Sequence, residues 1–156
     1  RRFESCPFRL RRGLIMYNED ELFKDLVGKV VYGLSVSEGQ HYLVMHTSNG
    51  HVVYETEADC CSETWFADIT GIQCLVGREV REAKFVELPY YDVLDGRTRQ
   101  ESDQAYGFEI GTDRGKCVIV FRNSSNGYYG GWMNMHDKIP ADTKFFPLVS
   151  ANEWSA

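Results

Sequence analysis

Three short runs of alternating or β-branched residues follow one another between residues 30 and 56. The runs cover 30–36, 42–47 and 52–56, and the gaps between them have turn composition. Asn49-Gly50, in the second gap, is the strongest short signal for a hairpin, because both central residues of such a turn take a positive φ. The segment is therefore predicted to form a three-stranded antiparallel meander.

The hairpin also predicts which side chains share a face. With Asn49-Gly50 as the two turn residues, His46 lies diagonally across from His51. Side chains alternate along a strand, so each face collects every second residue. Because both faces are partly apolar, we expect a helix to cover one of them. One face carries Tyr42, Val44, His46, His51 and Val53, and the other carries Leu43, Met45, Val52 and Tyr54.

Two helices are predicted around this meander. A short helix is expected over 19–26, and Gly28 ends it. The main helix is predicted over 63–75, because four apolar residues at and just beyond this segment follow a helical spacing. These four residues are Trp65, Ile69, Ile72 and Val76.

The second half of the chain reads mainly as further strands. They are predicted over 80–88, 106–111, 116–122 and 128–135, with a polar loop over 90–104 and an irregular tail from residue 136. Runs of strands joined by tight turns, with one main helix, indicate an antiparallel arrangement. We therefore predict an α+β fold, with an antiparallel β-sheet of six to seven strands, one main helix and a short N-terminal helix.

Charge is distributed unevenly along the 156 residues. Residues 1–15 hold five arginines and one glutamate, so we expect a basic N-terminal extension, either disordered or added by an upstream reading frame or artificially; a functional basic arm is the alternative. Residues 16–156 are predicted to form a single α+β domain with 12 basic and 22 acidic residues, a balance of −10. Such an acidic body repels phosphate, so direct nucleic-acid binding is not expected, whereas a basic host protein would suit it.

Cysteine usage and hydropathy bear on the compartment. The five cysteines are an odd number and include the adjacent pair Cys60-Cys61, which favours free thiols in a reducing environment. The apolar runs are too short for a membrane span, and residues 1–15 lack the core of a secretion signal. We therefore expect a protein of the host-cell cytoplasm without membrane contact, and the oligomeric state stays open.

The segment Asp59-Cys60-Cys61-Ser62 is the densest cluster of reactive groups. At the start of the predicted main helix, a thiol would meet the positive end of the helix dipole, which lowers its pKa and suits a nucleophile. His46, His51 or Asp68 would then serve as base. Alternatively, one cysteine packs inward while the other caps the helix, or both bind a metal with the two histidines. Adjacent cysteines, however, lack the usual spacing of zinc ligands.

His46 and His51 form a second, simpler cluster on one face of the predicted hairpin. Histidines in such positions commonly fill half-buried sheet sites. A catalytic or pH-sensing pair is the alternative, because imidazole changes charge near neutral pH.

Residues 124–132 form a further segment, in which glycines flank aromatic residues. Glycine lets a ligand approach the backbone, and Tyr128, Tyr129 and Trp132 would supply rigid contact area. The alternative is a wide turn whose aromatic residues serve the core. No catalytic residue, metal or cofactor is assigned, because Walker-type, H-E-x-x-H and G-x-S-x-G sequences are missing. The candidate binding residues are Asp59, Cys60, Cys61, Trp65, Asp68, Asn126, Gly127, Tyr128 and Tyr129.

Two motifs, Asp59-Cys60-Cys61 leading to Asp68-Ile69, and Ser125 to Tyr129, together resemble a small domain of unknown function from phage and bacterial genomes. The resemblance covers about residues 22 to 135 and includes a Gly28-Lys29 step before the meander. It implies an α+β fold and a phage or prophage setting, with no established activity. The recurring residues of the family correspond to Asp59, Cys60, Cys61, Asp68, Asn126, Gly127, Tyr128 and Tyr129.

The chain differs from this family at Thr70 and Gln73, where acidic residues are usual, which weakens any charge-dependent role there. Two functions remain open. The first is a phage-associated, acidic, non-enzymatic interaction module, such as an inhibitor of a host defence or nucleic-acid-handling protein. The second is a small-ligand-binding protein or cysteine-dependent enzyme that combines the Cys60-Cys61 helix start with the Asn126–Tyr129 turn. It requires the two segments to lie within about 10 Å of each other.

Overall fold

A computed structural model describes residues 19–59, 61–86, 88, 102–125, 130–136 and 138–148. Several sequence predictions fall outside these residues. They concern the extension at 1–15, most of the loop at 90–104, Cys60, and the segment from Asn126 to Tyr129.

Strands dominate the part of the chain that the structure describes. Two helices are short: α1 (Glu19–Phe23) and α2 (Ile72–Leu75). The strands are β1 (Val30–Ser37), β2 (Tyr42–Thr47), β3 (Gly50–Ala58), β4 (Glu63–Thr70), β5 (Arg78–Glu79), β6 (Glu82–Val86), β7 (Ser102–Thr112), β8 (Gly115–Ser125), β9 (Gly131–His136) and β10 (Phe145–Leu148).

These strands form two antiparallel sheets. The first sheet has the order β10-β1-β2-β3-β9, and β5 also pairs with β1. The second sheet has the order β4-β8-β7-β6. The predicted antiparallel arrangement and the β1-β2-β3 meander are confirmed, whereas the single sheet with one main helix is wrong.

The core lies between the two sheets and draws apolar side chains from both. Helix α1 contributes to it through Phe23, whose ring centroid lies 6.1 Å from that of Tyr54 in the first sheet and 5.3 Å from that of Phe108 in the second. The hydroxyl of Tyr54 is buried and donates a hydrogen bond to the carbonyl of Leu22 at 3.2 Å. Helix α1 therefore joins the two sheets where their aromatic residues meet.

The predicted main helix over 63–75 is mostly strand β4. Its register with β8 shifts between Phe66 and Asp68, which marks a β-bulge. One extra residue places Phe66 and Ile69 on the same core-facing side although they are three residues apart, whereas Trp65, which the predicted helical spacing combined with Ile69, is not part of the core cluster. Gly71 then takes a φ of 79°, which ends the strand, and only the single turn of α2 follows.

The hairpin differs from its prediction in register but not in the faces of its strands. Thr47 pairs with Gly50, so Ser48 and Asn49 are the turn residues and Gly50 follows with a φ of 98°. The Thr47 hydroxyl holds this turn, since it accepts a hydrogen bond from the Asn49 N–H and donates one to the Gly50 carbonyl. As a result, His46 and His51 lie directly opposite each other rather than diagonally.

Two further segments are more ordered than predicted. Strand β10 forms within the predicted irregular tail, because Leu148 pairs with Leu34 at the edge of β1 and is buried in the core. Strand β8 runs on through Asn123 to Ser125, which composition alone favoured as a turn. Cross-strand pairing with β4 and β7 outweighs the turn preference of these polar residues.

Candidate functional site: a polar junction between the sheets

The segment from Asp59 to Ser62 is a tight turn where the chain leaves the first sheet and enters the second. The N–H and the hydroxyl of Ser62 both donate hydrogen bonds to the Asp59 carbonyl, at 3.1 Å and 3.0 Å. Cys61 has a φ of 71°, which is uncommon for a residue other than glycine. The predicted helix start at this position is therefore wrong. Because no helix begins here, there is no helix dipole to lower the pKa of a cysteine thiol.

This turn lies directly against Gly130. The main-chain N–H of Asp59 donates to the Gly130 carbonyl at 3.1 Å, and Ser62 Oγ, whose single proton is shared with the Asp59 carbonyl, lies 3.2 Å from the same oxygen. Gly130 is the residue that follows Tyr129. The fold thus brings the Asp59–Ser62 turn next to the end of the second candidate segment, while Asn126–Tyr129 themselves and Cys60 lie outside the described residues.

Gly131 continues this contact inward. A Cβ atom at this position would overlap the Thr64 hydroxyl and approach the Asn123 amide nitrogen to 2.6 Å. Asn123 and Thr64 are buried, and the amide donates to the Thr64 hydroxyl at 2.9 Å and to the Glu63 carbonyl at 3.2 Å. Only glycine fits here without displacing a buried hydrogen bond.

Side chains from β3 and from the turn between β1 and β2 also contact main-chain carbonyl groups of β4. The Thr56 hydroxyl donates to the Thr64 carbonyl at 3.0 Å, and His41 Nδ1 lies 2.9 Å from that oxygen. The Gln40 amide donates to the Phe66 carbonyl at 2.8 Å. We call the Asp59–Ser62 turn together with Thr64, Asn123, Gly130 and Gly131 the polar junction.

Asp59 is the chemically unusual member of the polar junction. Its side chain is buried, and neither carboxylate oxygen makes a hydrogen bond to a described residue. Burial raises the pKa of the Asp59 carboxyl group, and the nearby Gly130 backbone offsets only part of that rise. A buried carboxyl group without hydrogen bonds to the described residues can accept a hydrogen bond from a bound ligand, or donate one when it is protonated.

Trp65 and Asp68 lie on the face of β4 that points away from the core. Trp65 is fully buried, and the Arg122 guanidinium carbon lies 5.2 Å from the centroid of its ring. One Asp68 oxygen accepts a hydrogen bond from the Ile69 N–H at 2.8 Å. Trp65 is thus a packing residue rather than an exposed contact, and Asp68 lies several residues along β4 from the turn.

His46 and His51 lie at the opposite end of β3 from the polar junction. Eight residues separate His51 from Asp59, or about 26 Å along an extended strand. The two histidines therefore cannot act as base for Cys61 or share a metal with it. Among the described residues, no three histidine, cysteine or acidic side chains are placed to hold a metal ion. The two histidines instead contact each other, with 3.1 Å between their Nδ1 atoms.

Several members of the junction were not found by sequence reasoning. Thr64 and Asn123, like their neighbour Thr56, carried no signal of their own, because ordinary polar residues acquire their role only through long-range pairing. The glycine pair at 130 and 131 did carry one, since glycine before a strand often marks close backbone approach.

The fold and the junction define a small two-sheet antiparallel β protein in which one polar turn links the sheets. The chain belongs to the family described as a domain of unknown function, DUF7448, whose model matches residues 24–135. It is also similar to uncharacterized protein L278 of Acanthamoeba polyphaga mimivirus, with 34% identity over 90 residues, 54% of this chain and 67% of the relative. No solved structure matches. The described helices are all too short to cross a membrane.

Proposed function

We propose that this chain is an acidic, virus-associated interaction module that binds a basic host protein in the cytoplasm. One observation carries the proposal. Residues 30–77, which include strands β1 to β4, contain neither lysine nor arginine, and of their six acidic residues all but the buried Asp59 are at least partly exposed. A surface of one sign attracts an oppositely charged partner and speeds encounter. A host protein that handles nucleic acid, including one that does so in defence, needs a basic surface for the phosphates, and an acidic module would fit that surface.

Two of these acidic residues are suitably placed for contact. Glu55 and Glu57 alternate with buried residues of β3, so both point away from the core, and both are partly exposed. Each has a neighbour on strand β9, where Glu57 accepts a hydrogen bond from the Asn134 amide and Glu55 lies 3.6 Å from His136. The two carboxylates are thus held in place on one face of the first sheet.

The test is capture of a partner from host lysate, followed by washes at low and then high salt. We expect the wild type to retain a basic protein that salt releases, because exposed charge pairs are screened. Glu55→Gln with Glu57→Gln should weaken this binding several-fold. Glu79→Gln with Glu82→Gln removes the same charge from other exposed sites and should bind normally. A complex whose binding changes neither with the salt concentration nor with either pair of Glu→Gln substitutions would contradict the proposal.

The second candidate is a ligand site at the polar junction, and the contact between the Asp59–Ser62 turn and Gly130 favours it. A small ligand held between the turn and the Asn126–Tyr129 segment would find the buried Asp59 carboxyl group beside it. Native mass spectrometry of the purified chain tests this. A bound molecule that is lost in Asp59→Asn but kept in Glu38→Gln, an exposed turn residue, would support it.

A cysteine-dependent reaction at the same place has its own test. In a Cys60→Ser background, Cys61 and Cys74 are comparable, because both are half-buried cysteines. If Cys61 is a nucleophile, it should react with iodoacetamide much faster than Cys74 at neutral pH. Equal rates would exclude Cys61 as the nucleophile.

A further inference from the structure

A cavity of about 310 Å³ opens on the first sheet, at a place separate from the polar junction. It lies between β1, α2 and β10, and its wall is mostly apolar. The Tyr32 side chain is 61% exposed at this cavity. Its other apolar lining side chains are Leu34, Ile72, Val76, Pro147 and Leu148.

The cavity coincides with a break in the sheet edge. Strand β10 pairs with β1 from Leu34 onward, and β5 pairs with Val30 and Val31. Within the described registers, neither partner reaches Tyr32 or Gly33. A β-bulge in β1 lies at this same point. The break gives a ligand access to groups that a continuous sheet would cover.

Two polar side chains in the cavity wall contact each other. Ser35 Oγ lies 3.1 Å from His46 Nε2, and both residues line the cavity. On the other side of the same ring, His46 Nδ1 lies 3.1 Å from His51 Nδ1. A hydroxyl, a base and a group that orients the base are thus in a row, which is the arrangement of an activated nucleophile.

The hydrogen bonds assign a consistent protonation state to the row. If the Ser35 hydroxyl donates to His46 Nε2, then His46 Nδ1 carries the hydrogen and donates to His51 Nδ1. Burial, and to a smaller extent the neighbouring His51, lowers the pKa of His46. His46 is therefore neutral near pH 7 and has a lone pair directed at the serine.

We propose that Ser35 and His46 form an acyl-transfer centre that hydrolyses esters of short apolar acyl groups, with His51 as a positioning residue. The cavity volume, at the small end of ligand sites, fits such a group, and its apolar wall would hold the acyl chain. Gln73 also lines the cavity, and its side-chain amide can donate hydrogen bonds. The centre is independent of the acidic surface proposed above.

The reaction balances with water as the second reactant. Ser35 Oγ forms a bond to the ester carbonyl carbon while its proton moves to His46 Nε2. The ester C–O bond then breaks, and His46 gives that proton to the departing alcohol. In the second half, His46 takes a proton from water, the hydroxide adds to the acyl carbon, and Ser35 Oγ leaves and recovers the proton. The products are one carboxylic acid and one alcohol.

The first test uses the full chain with p-nitrophenyl butyrate and with a fluorophosphonate probe. The probe forms an Oγ–P bond and releases fluoride, so peptide mass spectrometry locates the adduct. We expect hydrolysis by the wild type, an adduct on Ser35, and a loss of at least about a hundredfold in kcat/KM for Ser35→Ala. Ser48→Ala, in the exposed hairpin turn, should behave as wild type.

The second test addresses His51. His51→Leu removes the acceptor for His46 Nδ1, so kcat should fall while KM stays unchanged. His51→Asn offers an acceptor oxygen instead and should keep much of the wild-type kcat. Circular dichroism and unfolding curves show whether each variant is folded. A wild type with neither hydrolysis nor a Ser35 adduct overturns the proposal. So does a folded Ser35→Ala variant that keeps the full rate.

Discussion

The main-chain N–H of Asp59 donates a hydrogen bond to the carbonyl oxygen of Gly130 at 3.1 Å. This bond joins the first motif that family resemblance had singled out, at Asp59, to the residue that directly follows the second motif, which is far away in the sequence. It places the turn between β3 and β4 beside the start of β9. Both functions considered for the polar junction, ligand binding and thiol chemistry, depend on this proximity.

Gly131→Ala should lower the free energy of unfolding by about 2–4 kcal/mol, because the new methyl group overlaps the Thr64 hydroxyl and breaks its buried hydrogen bond with Asn123. Urea denaturation measures the effect. Gly33→Ala is the matched control, since its Cβ would meet only an ordinary contact of 3.9 Å with the His46 ring. Equal stability of the two variants would show that Gly131 is not under steric constraint.

Asp59→Asn should stabilise the protein at neutral pH and lose this advantage in acid. Burial raises the pKa of Asp59, so the folded state holds its proton up to a higher pH than the unfolded state does. The stability of the wild type therefore falls as pH rises from the unfolded pKa through the folded pKa, and then levels off. Unfolding curves across this range measure the difference. Glu38→Gln, at an exposed turn, should show no such trend.

Cys61 should tolerate glycine better than a β-branched residue. Its φ of 71° is accessible to glycine without strain, so Cys61→Gly should match or exceed the wild-type stability. Cys61→Val should cost about 1–3 kcal/mol, because a branched Cβ crowds the backbone in this region. Thermal unfolding of the two variants gives the comparison. A valine variant as stable as the glycine variant would mean that the turn relaxes.

The protein should lose stability as pH falls through the range in which histidine titrates. The pKa of His46 is lowered mainly by burial and to a smaller extent by His51. Below the unfolded pKa, the unfolded chain therefore binds a proton at this residue that the folded chain does not bind. The contribution is present in full above the unfolded pKa and is lost toward the folded pKa. Denaturation curves between about pH 5 and 8 should show a smaller decline in His46→Gln. An unchanged decline would assign the effect to other groups.

Local sequence patterns predicted the elements whose partners are close in the chain. The meander of β1, β2 and β3 was predicted, together with the side chains that share each face of its hairpin, because the side-chain period of two depends only on the strand itself. The observed pairing of β2 with β3 is shifted by two residues from the predicted one, because the hydrogen bonds of the Thr47 side chain stabilise a turn at Ser48 and Asn49. The side chains stay on their predicted faces, because a shift of two residues leaves the alternation of side chains along each strand unchanged.

The long-range part of the molecule was decided by tertiary structure. The spacing of Trp65 and Ile69 is that of a helix, and only pairing with β8, some fifty residues away, makes that segment a strand. The polar junction likewise exists because β3, β4, β8 and β9 converge there.

Sequence alone determined the alternating faces of the meander and the acidic character of the first four strands. Tertiary structure decided that Asp59 meets Gly130 and that Ser35 meets His46. Hydrophobic alternation is a property of one strand, whereas such contacts depend on which strands pair and in what register.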